Sequence, residues 1–349
     1  MDYTTETQGP DTAASPGSKS PIARLLASAG GRGGALIILA LLMIVFSLLT
    51  PSFLTGRNLL NILRQFAVPG ILAIAQTAVI ITAGIDLSVA STAALSGSLM
   101  AVSFAHWGLP EPLAWAIGLG AGLVVGVING LVIRYWRVPD IIATLGTFSA
   151  VRGVALLVTG GLPVPTFNRV VEGRTLPGSV NYLGAASLGS IPVIALMAGL
   201  VAVLGAVVLG RSKLGRSALA VGGNPEAAHA SGISVGRTKL KIYALSGLIS
   251  AFAGILLAGR LSSANALMGE GFELQAIAAV VVGGTNLFGG EGTVGGTVIG
   301  ILIIGVLSNG LNIIGVSEFW QRVSNGSIIV AVVALDQWRR RASTRVDNS

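Results

Sequence analysis

An all-α protein that crosses a membrane many times is the fold class this sequence predicts, and three observations predict it. Mean hydropathy over the 349 residues is +0.81. Only 10% of the residues are charged, far below the roughly one quarter usual in soluble domains. Apolar runs of about 20 residues, long enough to span bilayer hydrocarbon, recur along the whole length. No separate stretch is large enough to bury a soluble core of its own.

The elements follow in order. Residues 1–33 are polar and rich in Ser, Thr, Gly and Pro, and read as a disordered tail. The first apolar run starts near Ala35, too late for a signal peptide, and no small-residue cleavage site closes it. It is expected to stay as the first helix, ending before Pro51. The second helix is expected over Leu59–Ala83, with Pro69 and Gln76 inside, before the break Gly84-Ile85-Asp86-Leu87-Ser88. The third reaches Trp107. The fourth runs from Pro112 to the basic turn Arg134–Arg137, and the fifth from Pro139 to Gly160-Gly161. Residues 162–189 read as the longest loop without basic clustering. A sixth helix over Ile191–Leu209 ends in the basic run Arg211–Arg216. The seventh (Leu240–Leu261), eighth (Phe272–Gly283), ninth (Gly292–Ile314) and tenth (Phe319–Trp338) follow, closed by Arg339-Arg340-Arg341.

About ten crossings place both ends on one side. That side holds most of the Lys and Arg and is therefore expected to be cytoplasmic, with 162–189 external. The domain layout is a tail over 1–33, a membrane domain over 34–338 containing a polar loop over 211–241, and a basic cytoplasmic tail over 339–349. Trp107, Trp115, Trp136, Trp320 and Trp338 all fall near predicted helix ends, as interfacial aromatics do. Arg64, Arg152, Arg260 and Arg322 fall within apolar surroundings and must snorkel, pair or line a polar cavity. The net charge of +8 belongs to the tracts flanking helices, so it points to membrane topology and not to nucleic acid.

The chain repeats itself. Gly84-Ile85-Asp86-Leu87 and Gly271-Phe272-Glu273-Leu274 each set an acid two residues after a glycine and lead into a small-residue helix. Gly126–Leu131 resembles Gly305–Leu311 in the same order. The second to fifth helices then match the seventh to tenth. An odd number of helices separates the partners, so the halves are expected to be inverted, with a transport path at their interface. Gly118, Gly122, Gly126 and Gly130 recur every fourth residue on the fourth helix, and Gly292, Gly296 and Gly300 on the ninth. Such ridges let helix backbones approach closely in lipid, so their expected role is packing.

No catalytic constellation stands in the sequence. His106 and His229 lie on different sides and make no metal site. The absence of cysteine excludes thiolate sites and cysteine nucleophiles. There is no G-x-x-x-x-G-K-[ST] run, so no P-loop; Gly289-Gly290-Glu291-Gly292 lacks the lysine and reads as part of a broken or re-entrant segment. Polar residues at membrane depth are the candidates for a solute path: Gln76, Asn129, Asn286 and Asn309 as hydrogen-bonding groups, and Phe148 as a stacking surface. Each has a plainer alternative in helix bridging, capping or packing. Asp86 and Glu273 begin helices, where capping is the default role and proton relay the other.

One stretch, Gly222–Tyr243, interrupts the apolar runs with polar sequence. Asn224 as N-cap, Pro225 at the first helical position and Glu226 in the first turn predict a short helix to Ala230, ended by Gly232 and Gly236. It fits either a handle for a partner protein or an ordinary loop. Its Glu226-Ala227-Ala228, with Gly232 in step, resembles the E-A-A-x-x-x-G coupling element of ABC importer permeases. With Gly84–Ser88, Val282–Thr285, Gly289–Thr293 and Asn309–Asn312, the chain resembles the ribose-type monosaccharide permeases over about residues 35–340. That resemblance implies a transport subunit and not an enzyme, in a bacterial inner membrane. A second permease subunit, identical or paralogous, would complete the path. A separate ATPase, which binds the ATP and Mg, would dock on Glu226, Ala227, Ala228 and Gly232, and a periplasmic or extracellular binding protein would deliver the sugar. The chain itself needs no cofactor. The alternative is an ion-coupled carrier or facilitator working alone, for which Asp86 or Glu273 would serve.

Overall fold

The computed structural model describes residues 32–166, 171, 173–317, 319–321, 323, 326 and 327. The expected tails, apart from Arg32 and Gly33, which begin the first helix, lie outside the described residues, as do most of the tenth helix, Arg322, Trp338 and the Arg339–Arg341 run. Within them the chain is almost entirely helical. The long elements are α1 (Arg32–Leu49), α2 (Gly56–Ile81), α3 (Val89–Ala105), α4 (Glu111–Trp136) and α5 (Asp140–Thr159). A short α6 (Gly178–Ala185) and a two-stranded hairpin, β1 (Ser187–Leu188) antiparallel to β2 (Ile191–Pro192), follow. Then come α7 (Val193–Arg211), α8 (Lys213–Gly223), α9 (Pro225–Ala230), α10 (Val235–Leu261), α11 (Phe272–Val282) and α12 (Val294–Ile313).

Six of these, α2, α4, α5, α7, α10 and α12, are long and apolar enough to cross a membrane; α1, α3 and α11 contain shorter apolar helices. Burial separates them by role. α2 and α10 sit at the centre, with most of their residues buried. Pro69 stays inside a continuous α2. α5 and α7 are mostly exposed and present Ile141, Ile142, Leu145, Leu157, Leu200 and Val203 outward. Helices this apolar and this exposed face lipid or another chain.

The packing pairs map onto one another. α10 lies against α3 and α4, α2 lies against α11 and α12, α3 packs on α4 as α11 packs on α12, and α2 meets α10 at the centre. Exchanging α2 for α10, α3 for α11 and α4 for α12 leaves this pattern unchanged. The glycine ridges make the contacts. A Cβ at Gly118 would meet Met100 and Ser96 of α3. At Gly122, Gly126 and Gly130 it would overlap α10, at Gly247 and Ala251, at the Tyr243 carbonyl and at Leu240. Gly296 and Gly300 pack in the same way on the Gly283 and Ala279 carbonyls. Gly292 departs from the expected ridge. It precedes α12, whose N-cap is Thr293, and packs on Thr285 and Ile81 instead.

Two elements differ from the sequence reading, and α11 keeps its expected bounds to within one residue. Residues 162–189 are not a plain loop: α6 packs on α7 and α10 there, and Val164 pairs with Ala264 in an isolated bridge. The basic run after Leu209 does not end the helical structure either, because Ser212 accepts a bond from Gly215 N (3.1 Å) and starts α8. α11 has only 11 residues, about 16 Å, half of a bilayer core; the segment 283–293 continues from it as irregular backbone, as a broken membrane segment does.

Candidate functional site

The α9 stretch folds as its local chemistry dictates. Asn224 Oδ1 accepts a bond from Ala227 N (2.9 Å), and Pro225 occupies the first turn beside Glu226. At the other end Gly232 N donates to the His229 carbonyl (2.9 Å) and Ile233 N to that of Ala228 (2.9 Å). This paired closure needs a left-handed residue between them, and Gly232 supplies it at φ +81°. Gly232 therefore terminates the helix. Glu226 and Ala227 are exposed while Ala228 is buried, so one face of α9 packs and the other is presented outward.

Behind α9 stands a junction of three backbones. A Cβ on Gly222, at the end of α8, would overlap the Ile81 carbonyl at the end of α2 and lie 2.6 Å from Gly290 N. Gly290 N in turn donates to the Ile81 carbonyl (3.0 Å). Backbone meets backbone here, with no side chain between α8, the end of α2 and the segment 283–293. The break before α3 begins at Gly84, three residues after Ile81.

That break holds the polar groups. Asp86, 2% exposed, accepts from Ser88 N (2.9 Å) and Ser88 Oγ (2.6 Å) on one oxygen and from Ser246 Oγ of α10 (3.1 Å) on the other. Asn129 of α4 donates to Ser88 Oγ (2.9 Å) and accepts from Thr147 Oγ1 of α5 (2.6 Å). Gln76, with its amide turned to suit, donates to the Asp86 carbonyl and accepts from Asp86 N, both at 3.1 Å. Gln76, Asp86 and Asn129 thus form one buried network that ties α2, α4, α5 and α10 to the start of α3. Their polar capacity is used by the chain itself, which favours the plainer bridging role over contact with solute.

Beside this network lies a cluster that the sequence did not single out as a site. Lys239 Nζ of α10 is 2.9 Å from both Asp140 carboxylate oxygens of α5, and Tyr243 OH donates to Asp140 Oδ2 (2.8 Å). Gly84 fits under it, where a Cβ would meet the Tyr243 hydroxyl at 2.7 Å, and Thr144 Oγ1 donates to the Ile85 carbonyl (3.0 Å). The exposed helix α5 is thereby clamped to the buried α10 at the α9 end of the bundle. An Asp140→Asn replacement leaves a half-buried ammonium without its counter-charge. Loss of one such charged contact is expected to cost about 2 kcal/mol, seen as a thermal midpoint several degrees lower for the purified protein in detergent.

The remaining candidates lie elsewhere. Asn309 of α12 exchanges two amide bonds with Asn58 of α2 (2.8 and 3.0 Å) and bridges helices. Asn286 accepts from Phe288 N (2.9 Å) and shapes the 283–293 turn. Phe148 lies beneath the Arg152 guanidinium, 5.6 Å from ring to charge. Glu273 is buried in the first turn of α11, at the far end of the bundle from α9. That place in the first turn fits the capping role, and the Glu273 Oε2 has no hydrogen-bond partner among the described residues. Of the arginines flagged in apolar surroundings, Arg64 bonds Ser187 Oγ (2.7 Å), Arg152 bonds the Ala266 carbonyl, and Arg260 bonds the Gln65 carbonyl (3.0 Å).

The described residues form an apolar helical bundle from which one short helix, α9, presents a face outward. The sequence model of a permease family, described as the branched-chain amino acid transport system permease component, matches residues 58–333. The chain belongs to this permease family. The ribose import permease of Bacillus subtilis strain 168 is 45% identical over 304 residues, covering 87% of this chain and 92% of that one. The ribose import permease of Escherichia coli K12 is 41% identical over 302 residues (86% and 92%). The xylose transport permease of Haemophilus influenzae is 35% identical over 354 residues (86% and 94%). No solved structure matches. As a member of this family of importer permeases the chain is a transport subunit and not an enzyme, and hydrolysis of ATP belongs to a separate partner.

Proposed function

We propose that this chain is the path-forming permease subunit of an ATP-driven importer of a monosaccharide, D-ribose first. The observation that carries the reading is the family membership along nearly the whole membrane domain, together with relatives named for ribose import. The ATPase docks on the exposed face of α9, with Glu226 and Ala227 as contacts and Gly232 fixing the helix end. α8 carries the push to the junction at Ile81 and Gly290. An external binding protein delivers the sugar to the far end. A second permease subunit packs on the apolar face of α5, so that the path lies between the two subunits. Both termini are cytoplasmic, in the inner membrane of a bacterium. The chain is read as about ten crossings arranged as an inverted repeat; the self-mapping packing pattern supports the repeat, with the described α2–α4 answering α10–α12. Against an ion-coupled carrier stands the membership in a family of importer permeases; of the two acids that would serve such a carrier, Asp86 has its carboxylate filled by Ser88 and Ser246, and only Glu273 keeps an oxygen without a partner among the described residues.

The test is uptake of labelled D-ribose by vesicles containing this chain, its ATPase and its binding protein. Uptake is expected only when ATP and binding protein are both present. Equilibration of ribose by the chain alone would overturn the reading.

A further inference from the structure

The helical period divides the basic residues that open α10. Lys239 turns inward to Asp140, while Arg237 and Lys241, one turn apart from each other, are exposed. Arg134, from the last turn of α4, is seated beside them. A Cβ on Gly236 would meet Arg134 Cγ at 2.8 Å, so the bare glycine makes room for the arginine stem, and the guanidinium carbon stands 4.8 Å from the Tyr135 ring. Arg137, at the end of α4, is exposed as well. Among the described residues the side chains of these four cations have no hydrogen-bond or ion-pair partner, and the neighbouring acid, Asp140, is already engaged by Lys239 and Tyr243. Arg237 also stands in the first turn of α10, where the helix dipole disfavours a cation and the chain supplies no acid. Cations gathered in this way call for an anion from outside the chain.

The surface leading to them says which anion. Val124, Ile128, Leu131 and Tyr135 follow one another at helical spacing along α4, and all are exposed. At the foot of this stripe Tyr135 and Trp136 are 64% and 76% exposed, rings with an apolar body and a polar tip at the end of a spanning helix. Apolar stripe, aromatic pair and cations thus succeed one another in the order of acyl chain, glycerol region and headgroup of one lipid leaflet. Membrane orientation alone asks only for positive charge on this side; it does not ask for the seat at Gly236. An acidic protein surface would match the charges and leave the stripe unused.

We infer that Arg134, Arg137, Arg237 and Lys241, with Tyr135 and Trp136, form a binding site for the headgroup of an anionic phospholipid whose acyl chains lie along the exposed stripe of α4. The lipid joins the end of α4 to the start of α10, four residues beyond the Gly232 turn that closes α9. The inference rests on the chain crossing a membrane and is independent of the solute it carries.

Trp136 reports on the site directly. The complete transporter is placed in phosphatidylcholine bilayers that contain phosphatidylglycerol with brominated acyl chains or, for comparison, phosphatidylcholine brominated in the same way. The difference in fluorescence quenching between the wild type and Trp136→Phe isolates the signal of this tryptophan. Phosphatidylglycerol is expected to quench it at a mole fraction at least about tenfold lower than phosphatidylcholine does, and the Arg237→Gln, Lys241→Gln double variant to bring the two lipids within about twofold. If the double variant fails to assemble, Lys241→Gln alone is expected to reduce the preference about threefold. Inorganic phosphate at millimolar concentration is expected to leave the preference unchanged. Equal quenching of the wild type by the two lipids overturns the site, as does a preference that survives loss of the charges. Competition by inorganic phosphate makes it a site for the free ion and overturns the lipid. A Trp136 signal that neither lipid quenches means that the ATPase or a second copy of the chain covers the patch, and overturns it too.

Discussion

Proline at position 232 is expected to uncouple transport from ATP hydrolysis. Gly232 sits at φ +81° and donates its N–H to the His229 carbonyl. Proline fixes φ near −65° and has no N–H, so Gly232→Pro removes the bond and the left-handed turn together. The end of α9 then opens, while the junction at Gly222 and the membrane helices keep their contacts. Ribose uptake is expected to fall at least about tenfold, equivalent to 1.4 kcal/mol or more of lost coupling. Hydrolysis by the assembled complex is expected to persist. Glu226→Lys reaches the same end by another route. It reverses a favourable charge at a helix start, worth only about 0.3–1 kcal/mol, which is too little to unfold α9. A loss of uptake in that variant therefore reports the contact with the partner. Wild-type uptake in both variants would remove α9 from the coupling path.

Leucine at position 126 is expected to prevent assembly altogether. The ridge of α4 lies directly on the backbone of α10. A Cβ alone at 126 would overlap the Tyr243 carbonyl and come within 3.1 Å of Ala244 Cα. No side chain at that contact can rotate away, so the cost is set at the upper end of overpacking, about 3 kcal/mol or more. It also displaces Tyr243 from Asp140 and disturbs the clamp on α5. Gly126→Leu is expected to yield no stable protein in membranes. Gly120 on the same helix has open space around it, and Gly120→Leu is expected to accumulate and transport normally. Equal accumulation of the two variants would mean that the ridge does not hold α4 to α10.

These residues also mark what could be read in advance. Asn224, Pro225 and Gly232 act on groups within a few residues, so their helix was legible in the sequence. The α4 ridge was legible because four-residue spacing is a property of one helix. α8 was hidden because its basic residues resemble the end of a membrane helix and its start depends on one serine side chain. The clamp was hidden for a different reason. Asp140 and Lys239 are unremarkable separately and stand 99 positions apart, so only the fold joins them. Gln76, Asn129 and Asn309 were legible as polar groups at depth, but their partners were not. Sequence gives a polar group's donors and acceptors and leaves open whether the chain or a solute takes them. Asp86 and Glu273 make the point most sharply, since the same pattern yields a carboxylate filled by Ser88 and Ser246 at one end and, at the other, a buried oxygen with no partner among the described residues.

The central claim is that work enters this chain through the exposed face of α9. The most direct measurement uses Ala227→Cys, which gives the cysteine-free chain a single thiol on that face, in the complete transporter treated with a short thiol-directed crosslinker that also reacts with lysine. The expected product is one conjugate, between this chain and the ATPase, accompanied by loss of ribose uptake that returns when a cleavable linker is reduced. ATP-dependent uptake that continues with no conjugate to the ATPase would contradict it.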